Sequence, residues 1–273
     1  MTTKKIRQEI EEHLRAMLKE GKGLTIKVDE DAYGHLAGTR VEEWMRQRLI
    51  KKNWQVFYPN TFLEKVFRRV GRDRQKIEKI INENWWGSLL VTRRQIFDFL
   101  DGKHIGRWQQ EAADLVLFYE NDILKDSENV VLLNVKSHNI SRESRPPNIM
   151  SAQRLLEFLH KIVVQKGFDG QLEKVQLWFL GVGYISKKSI GTIQEVHLKD
   201  LFKLDISEIP QINFDAAIQI QWHVKDMIEI KQSKKEFVRN LAKTFLDQWR
   251  EHAKGKGEKY TKLVKDIEEA LSS

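Results

Sequence analysis

Apolar residues recur at helical spacing near the start of the chain. Ile6, Ile10, Leu14, Met17 and Leu18 fall on one stripe with charges opposite, which predicts a helix over residues 4–20. Val41, Trp44, Met45 and Leu49 repeat that spacing and predict a second helix over about 39–51. A third, basic helix is expected over 61–82. The middle of the chain changes period. Asp114 to Tyr119 and Val130 to Lys136 are β-type runs flanking a polar stretch, Glu120 to Asn129, rich in turn formers. Ser151 is a candidate N-cap for a helix that buries Leu155, Leu156, Leu159, Ile162 and Val163. Residues 175–185 predict another strand and 198–204 a short helical piece. The cleanest alternation spans 211–225. Ile212, Phe214, Ala216, Ile218, Ile220, Trp222 and Val224 share one face, opposite Gln211, Asn213, Asp215, Gln219, Gln221 and His223. This predicts one long half-buried strand whose outer face is rich in amides. Such amides either read base edges and sugar–phosphate groups or are simply solvated. Two amphipathic helices, about 233–253 and 258–271, close a chain that reads as one α/β domain with helical extensions.

Composition narrows what this domain can do. The 273 residues are 41% hydrophobic, with only 15 Gly and 4 Pro, which is the profile of a folded chain rather than a disordered or fibrous one. There is no cysteine, so disulfides, zinc–thiolate sites and thiol catalysis are excluded. The longest apolar run, Val175 to Ile185, is too short for a bilayer span of ~20 residues. No apolar signal core follows Lys4 and Lys5, so a cytoplasmic protein without membrane association is expected. Lys and Arg number 47 against 39 Asp and Glu, a formal charge of +8. That excess suggests a polyanionic partner or mere solubility. Within 61–82, Lys65, Arg68, Arg69, Arg72, Arg74, Lys76 and Lys79 are either a solvated face or phosphate contacts.

Chemistry decides between these readings. If the two middle strands form a hairpin, antiparallel pairing brings Asp114 beside Asn134 and Lys136. Asn134 and Lys136 are two apart and share a face. A carboxylate supplemented by an amide oxygen and a backbone carbonyl, here that of Val135, suits a hard cation such as Mg²⁺. A lysine beside it can orient an attacking water and stabilise charge developing on phosphorus. As a bare spacing this also fits a polar strand end with a solvated lysine.

Several segments resemble the HincII-like type II restriction endonucleases, of the PD-(D/E)xK nuclease superfamily. They are Glu111-Ala-Ala-Asp114-Leu-Val-Leu, Leu133-Asn-Val-Lys136-Ser-His-Asn-Ile-Ser141, Pro147-Asn-Ile-Met-Ser-Ala152 and Ala216-Ala-Ile-Gln-Ile-Gln-Trp-His-Val224. Gly34-His-Leu-Ala-Gly38, followed by Glu42, matches more loosely. The resemblance implies a restriction-endonuclease-like core, a mixed central sheet flanked by helices. It also implies a homodimer that cuts both strands of a short palindromic DNA site with Mg²⁺, for which Mn²⁺ can substitute. The ends implied are 5′-phosphate and 3′-hydroxyl, and blunt. By position Asp114 is then the metal-ligating acid, Lys136 the catalytic lysine and Glu42 a helix-borne acid beside the site. DNA contacts are implied at Gln109, Ser137, Asn139, Arg142, Arg145, Asn148, Gln211 and Asn213. The second acid of the family is here Asn134, which keeps one ligand oxygen but removes a negative charge.

The loop after Lys136 adds a physical reason of its own. Arg142 and Arg145 precede Pro146 and Pro147, and Asn148 follows, so a stiff, basic, amide-bearing loop adjoins the acid–lysine pair. Such a loop suits base readout in a groove. His35 and His223 have no nucleophile or ligand spacing and read as structural or phosphate-contacting. No phosphate-cradling Gly-rich loop is present, which argues against ATP. The expected activity is therefore Mg²⁺-dependent, sequence-specific cleavage of double-stranded DNA. The rivals are a DNA-binding protein that Asn134 has inactivated and a structure-selective repair or junction nuclease.

Overall fold

Leu115, Leu117, Leu133 and Val135 belong to one apolar core, while Val116, Phe118, Val130 and Leu132 belong to another. A sheet with both faces buried separates the two, and alternate residues of each strand serve opposite cores. The computed structural model describes residues 3–21, 23–27, 35–50, 55–106, 112–118, 130–141, 146–164, 170–187, 190–215 and 218–272. In chain order the elements are α1 (Thr3–Gly21), β1 (Thr25–Lys27), α2 (His35–Ile50), β2 (Gln55–Phe57), α3 (Pro59–Val70), α4 (Arg74–Glu83), α5 (Gly87–Leu90) and α6 (Arg93–Leu100). They continue with β3 (Leu115–Phe118), β4 (Val130–Asn139), β5 (Asn148–Ser151), α7 (Ala152–Val164), α8 (Gln171–Lys174), β6 (Leu177–Lys187) and β7 (Ile190–Asp200). After two short 3₁₀ turns come β8 (Gln211–Asn213), β9 (Gln219–Gln221), a third such turn over Val224–Asp226, and α9 (Lys234–Ser272).

Six strands form the central sheet in the order β1-β7-β6-β4-β3-β2. The β4–β6 pair is parallel and the others antiparallel, so the sheet is mixed. A parallel pair needs a crossover, and α7 supplies it with Leu155, Phe158, Leu159 and Ile162 buried. Ser151 caps this helix, its Oγ accepting from Arg154 N at 3.3 Å. A second sheet, β5-β9-β8, sits over the larger core. Among the described residues no helix is long and apolar enough to cross a membrane.

Several expected elements differ in form. The helix expected over 61–82 is two helices. Gly71, at φ 84, ends α3, and Asp73 caps α4 by accepting from Gln75 N and Lys76 N. The strand expected over 211–225 is a hairpin, β8 pairing with β9 so that Ile212 faces Ile220. Because the two are an even number of residues apart, folding back keeps both on the same face, and the alternation conceals the turn. The turn shows instead in Asp215 N donating to Asn213 Oδ1 at 3.0 Å and in Ile218 at φ 48. The expected helical piece at 198–204 is the end of β7 followed by a 3₁₀ turn over Leu201–Lys203. The two C-terminal helices are one, running through Gly255 and Gly257. Lys256 pairs there with Asp215 at 2.6 Å, which fastens the helix at its weakest point. The polar stretch expected to turn at 120–129 lies outside the described residues.

Two local devices fix the elements around the sheet. Thr92 and Gln95 form a reciprocal capping box at the start of α6. Thr92→Ala is expected to lower unfolding free energy by ~1 kcal/mol in urea titrations. On α2, Glu43 accepts from Tyr58 Oη at 2.7 Å and from Arg46 Nε at 3.0 Å, tying the helix to the segment after β2. The Arg46 hydrogen bond is the main reason the Glu43 carboxyl falls from 4.5 to about 2, while burial and the Glu43 bond push the Tyr58 hydroxyl up to about 12. The folded value of Glu43 lies below its ordinary value. Its contribution is therefore complete above pH 4.5 and is lost as pH falls towards about 2. Glu43→Gln is expected to flatten that part of the acid limb, measured as the urea midpoint against pH.

Candidate active site

β3 and β4 meet as the expected hairpin strands, with Leu115 opposite Leu133, and the Asp114 N–H extends the ladder to Leu133 O at 3.0 Å. Asp114 thus stands at the strand end beside Asn134. Its Oδ2 accepts from Val135 N at 2.6 Å and lies 3.6 Å from Lys136 Nζ. Both side chains are about a fifth to a quarter exposed (20% and 24%), so the pair is half-buried but open to a ligand. The backbone bond fixes the carboxylate, which in turn attracts the ammonium.

Asn134 is buried at 4% exposure, and its Nδ2 donates to Ala112 O at 2.7 Å. A carbonyl oxygen only accepts, so the amide nitrogen must face it and Oδ1 faces the other way. This orientation fits a cation site, because the amide presents an oxygen and no competing N–H. Asp114 and the Asn134 amide thus stand side by side with one formal charge instead of the two that a pair of carboxylates would bring. Among the described residues, no three His, Asp or Glu side chains form a metal-binding group.

Glu42 is buried on α2, close enough to Tyr58 to contribute to its raised pKa. α2 packs through Met45 and Leu49 on the core containing Leu133 and Val135, so Glu42 approaches from the side opposite Asn134 and Lys136. Asn139 donates to Ser186 Oγ at 2.7 Å and accepts from Ser141 N and Oγ, so its amide orders the strand end. Ser137 lies on β4 between Lys136 and His138, paired with Val182.

The second sheet gathers amides that are far apart in sequence. Asn148 pairs with Gln221, and Gln221 with Gln211, forming one row across three strands. Gln221 Nε2 donates to Asn148 Oδ1 at 3.0 Å. Ser151, Gln219 and Asn213 form the neighbouring row. Their opposite face, with Ile149, Ile212 and Ile220, is buried in the core. Gln219 and Gln221, which the alternation at 211–225 put on the amide-rich face, thus join Asn148, Gln211 and Asn213, the three positions that the family resemblance implied. Gln109, Arg142 and Arg145 lie outside the described residues. Of the basic residues at 65–79, Arg74, Lys76 and Lys79 pair with Glu78, Asp73 and Glu83 respectively. Exposed pairs of this kind are worth ~0–1 kcal/mol, so a phosphate could displace them at little cost.

A mixed sheet with helices on both faces and an acid–lysine pair at a central strand end is the arrangement expected of a restriction-endonuclease-like core. Comparison with known proteins agrees. The family model for restriction endonuclease HincII matches residues 32–268, and the chain belongs to that family. It is 30% identical over 162 residues to the type II restriction enzyme HindII of Haemophilus influenzae, a match covering 58% of this chain and 57% of the relative. It is 29% identical over 167 residues to the type II restriction enzyme HincII of Haemophilus influenzae, with the same coverage. The matched part thus spans little more than half the length of these relatives. The NlaIV restriction endonuclease structure aligns at 13% identity and TM-score 0.43 over 90% of this chain and 89% of that one.

Proposed function

We propose that the chain is a type II restriction endonuclease. In this reading it cuts both strands of a short palindromic DNA site as a homodimer in the cytoplasm. It leaves 5′-phosphate and 3′-hydroxyl ends, flush with each other. The observation that carries the reading is the Asp114–Lys136 contact at 3.6 Å, beside the buried and oriented Asn134 amide. Asp114, Asn134 Oδ1 and the Val135 carbonyl would hold Mg²⁺, or Mn²⁺ in its place. That ion supplies Lewis acidity towards the scissile phosphate.

The residues of the chain then divide the remaining work. Asp114, fixed by the Val135 N–H, holds the Lys136 ammonium near the scissile position. Lys136 Nζ orients the attacking water and offsets charge that develops on the phosphate oxygens. Glu42 is proposed as an outer acid of the same site. Asn148, Gln211, Asn213, Gln219 and Gln221 face the groove as base-edge readers, since a paired amide donor and acceptor matches adenine in the major groove. Gln109, Ser137, Asn139, Arg142 and Arg145 are further proposed DNA contacts, by their positions in the family. A supercoiled plasmid incubated with Mg²⁺ should pass to discrete linear fragments. Binding to duplex without metal should weaken by ~10³–10⁵ between about 50 and 200 mM salt for 6–10 phosphate contacts. A flat salt profile would show the basic residues to be incidental.

The missing second carboxylate favours one other reading, a DNA-binding protein of this fold that no longer cuts. It predicts the same salt dependence but an intact plasmid at every Mg²⁺ and Mn²⁺ concentration.

A further inference from the structure

The sheet face that carries Lys136 holds a second polar group that the cleavage site does not use. His138 follows Lys136 by two residues on β4, so the two side chains share a face about 6.6 Å apart along the strand. The Nε2 of His138 lies 3.0 Å from Oε1 of Glu195 on β7, although β6 runs between those strands. Gly183 occupies the ladder position between them, paired with both His138 and Glu195. A Cβ at Gly183 would stand 2.5 Å from Glu195 Cγ and 2.8 Å from its Oε1, so only glycine lets the carboxylate cross. The β6–β7 register also shifts here. Gly183 pairs with Glu195 but Tyr184 with Ile193, a bulge that turns Glu195 to this face. His197 Nε2 is 3.6 Å from Glu195 Oε2, and the His223 ring lies 5.8 Å from the His138 ring. Gly181 makes room for Val224, the residue after His223. Two glycines and a bulge weaken the middle of a sheet. Gly181 serves the larger core, to which Val224 belongs, whereas Gly183 and the bulge seat this group.

The chemistry of the group follows from its hydrogen bond. With Nε2 facing a carboxylate, the hydrogen sits on Nε2, and Nδ1 makes no hydrogen bond among the described residues. Burial draws the pKa of His138 below its ordinary value, with His223 and Lys225 acting in the same direction and Glu195 opposing. The groups facing it are Lys136 along β4, Glu195 and His197 from β7, and His223 and Lys225 from the turn after β9. A phosphate brought to Nδ1 would leave the imidazole between two anions, which favours its charged form.

We propose that His138, held by Glu195, is a proton-linked contact for the DNA phosphate next to the one at Lys136. This rests on Asp114 and Lys136 being the cleavage pair, because that is what lays the DNA backbone along this face. On binding, Nδ1 takes a proton from solvent and the new N–H donates to a phosphate oxygen. The bound pKa is above the free one, so affinity rises as pH falls from the bound value to the free value and is level outside that window.

Fluorescence anisotropy of a labelled mixed-sequence duplex, without divalent metal and at fixed salt, tests this from about pH 6 to about pH 8. Wild-type affinity is expected to fall with rising pH by up to about tenfold per unit, the limit for one linked proton. His138→Gln keeps a polar side chain but cannot titrate. It is expected to bind with no such slope and to equal the wild type at the alkaline end. Glu195→Gln, which leaves the imidazole without its carboxylate, is expected to give a shallower slope. A wild-type slope retained in His138→Gln overturns the proposal. Failure of the cleavage reading is a separate result: a wild-type protein that binds the duplex but never cuts it with Mg²⁺, whatever its pH slope.

Discussion

Lys136→Ala is expected to slow single-turnover cleavage of a plasmid by about 10²–10⁴-fold at saturating Mg²⁺. The ammonium is the cation placed against Asp114, at 3.6 Å, and it is partly shielded from water. Its charge therefore acts on the developing negative charge of the phosphate with less screening than at an exposed site. Alanine removes that stabilisation together with the donor that orients the water. Binding should suffer far less. One phosphate contact fewer lowers the magnitude of the salt slope by about one and weakens affinity to a similar degree for all sequences. The fold should persist, because Lys136 contributes little to either core. A cleavage rate within about tenfold of wild type would remove Lys136 from the chemistry.

Asn134→Asp is the second large effect, and it acts on stability and metal dependence in opposite directions. The amide is buried and donates to Ala112 O. In the variant, a carboxylate oxygen would face that carbonyl oxygen, which loses the hydrogen bond and leaves a buried acceptor without a donor. The cost without metal is expected to be about 1–3 kcal/mol in urea unfolding. The new carboxyl also lies beside Asp114, and burial and like charge both raise its folded pKa. A group whose folded pKa is raised contributes stability below its unfolded pKa and loses it as pH rises through the folded one. The deficit relative to wild type should therefore grow from acidic to neutral pH. Mg²⁺ should reverse it, and half-maximal cleavage should need less Mg²⁺ than in the wild type. Equal stability and an unchanged Mg²⁺ requirement would mean that position 134 does not face the cation.

How much of this was legible depended on whether a signal was local. The Asp114–Lys136 juxtaposition followed from two short β-type runs and the pairing of a hairpin, and the structure has that pairing. The cap at Ser151 and most of the inward face of α7 were equally local, but Val163, expected inside, is exposed, and Phe158 is buried in the helix instead. What escaped was non-local or even-numbered. The hairpin of β8 and β9 leaves the same alternation as a single strand, since Ile212 and Ile220 keep one face either way. β7 was missed because a bulge breaks its period: Ile193 and Val196 are three apart yet serve the same core, with Leu198 beside them. Its strand character comes from pairing with β6 on one side and β1 on the other. The ladder row that joins His138, Gly183 and Glu195 draws on three separate strands, so no spacing in the chain announces it. The continuity of α9 through Gly255 and Gly257 contradicts local propensity, and the Lys256–Asp215 pair at 2.6 Å helps explain it.

The most direct test of the cleavage site is to sequence the ends of phage DNA digested by the protein with Mg²⁺. The result expected is one short twofold-symmetric sequence at every cut, flush ends carrying 5′-phosphate, and no cutting by Lys136→Ala. Ends scattered without a common sequence, or discrete fragments that persist in Lys136→Ala, would contradict the assignment of Asp114 and Lys136 as the pair that cleaves DNA.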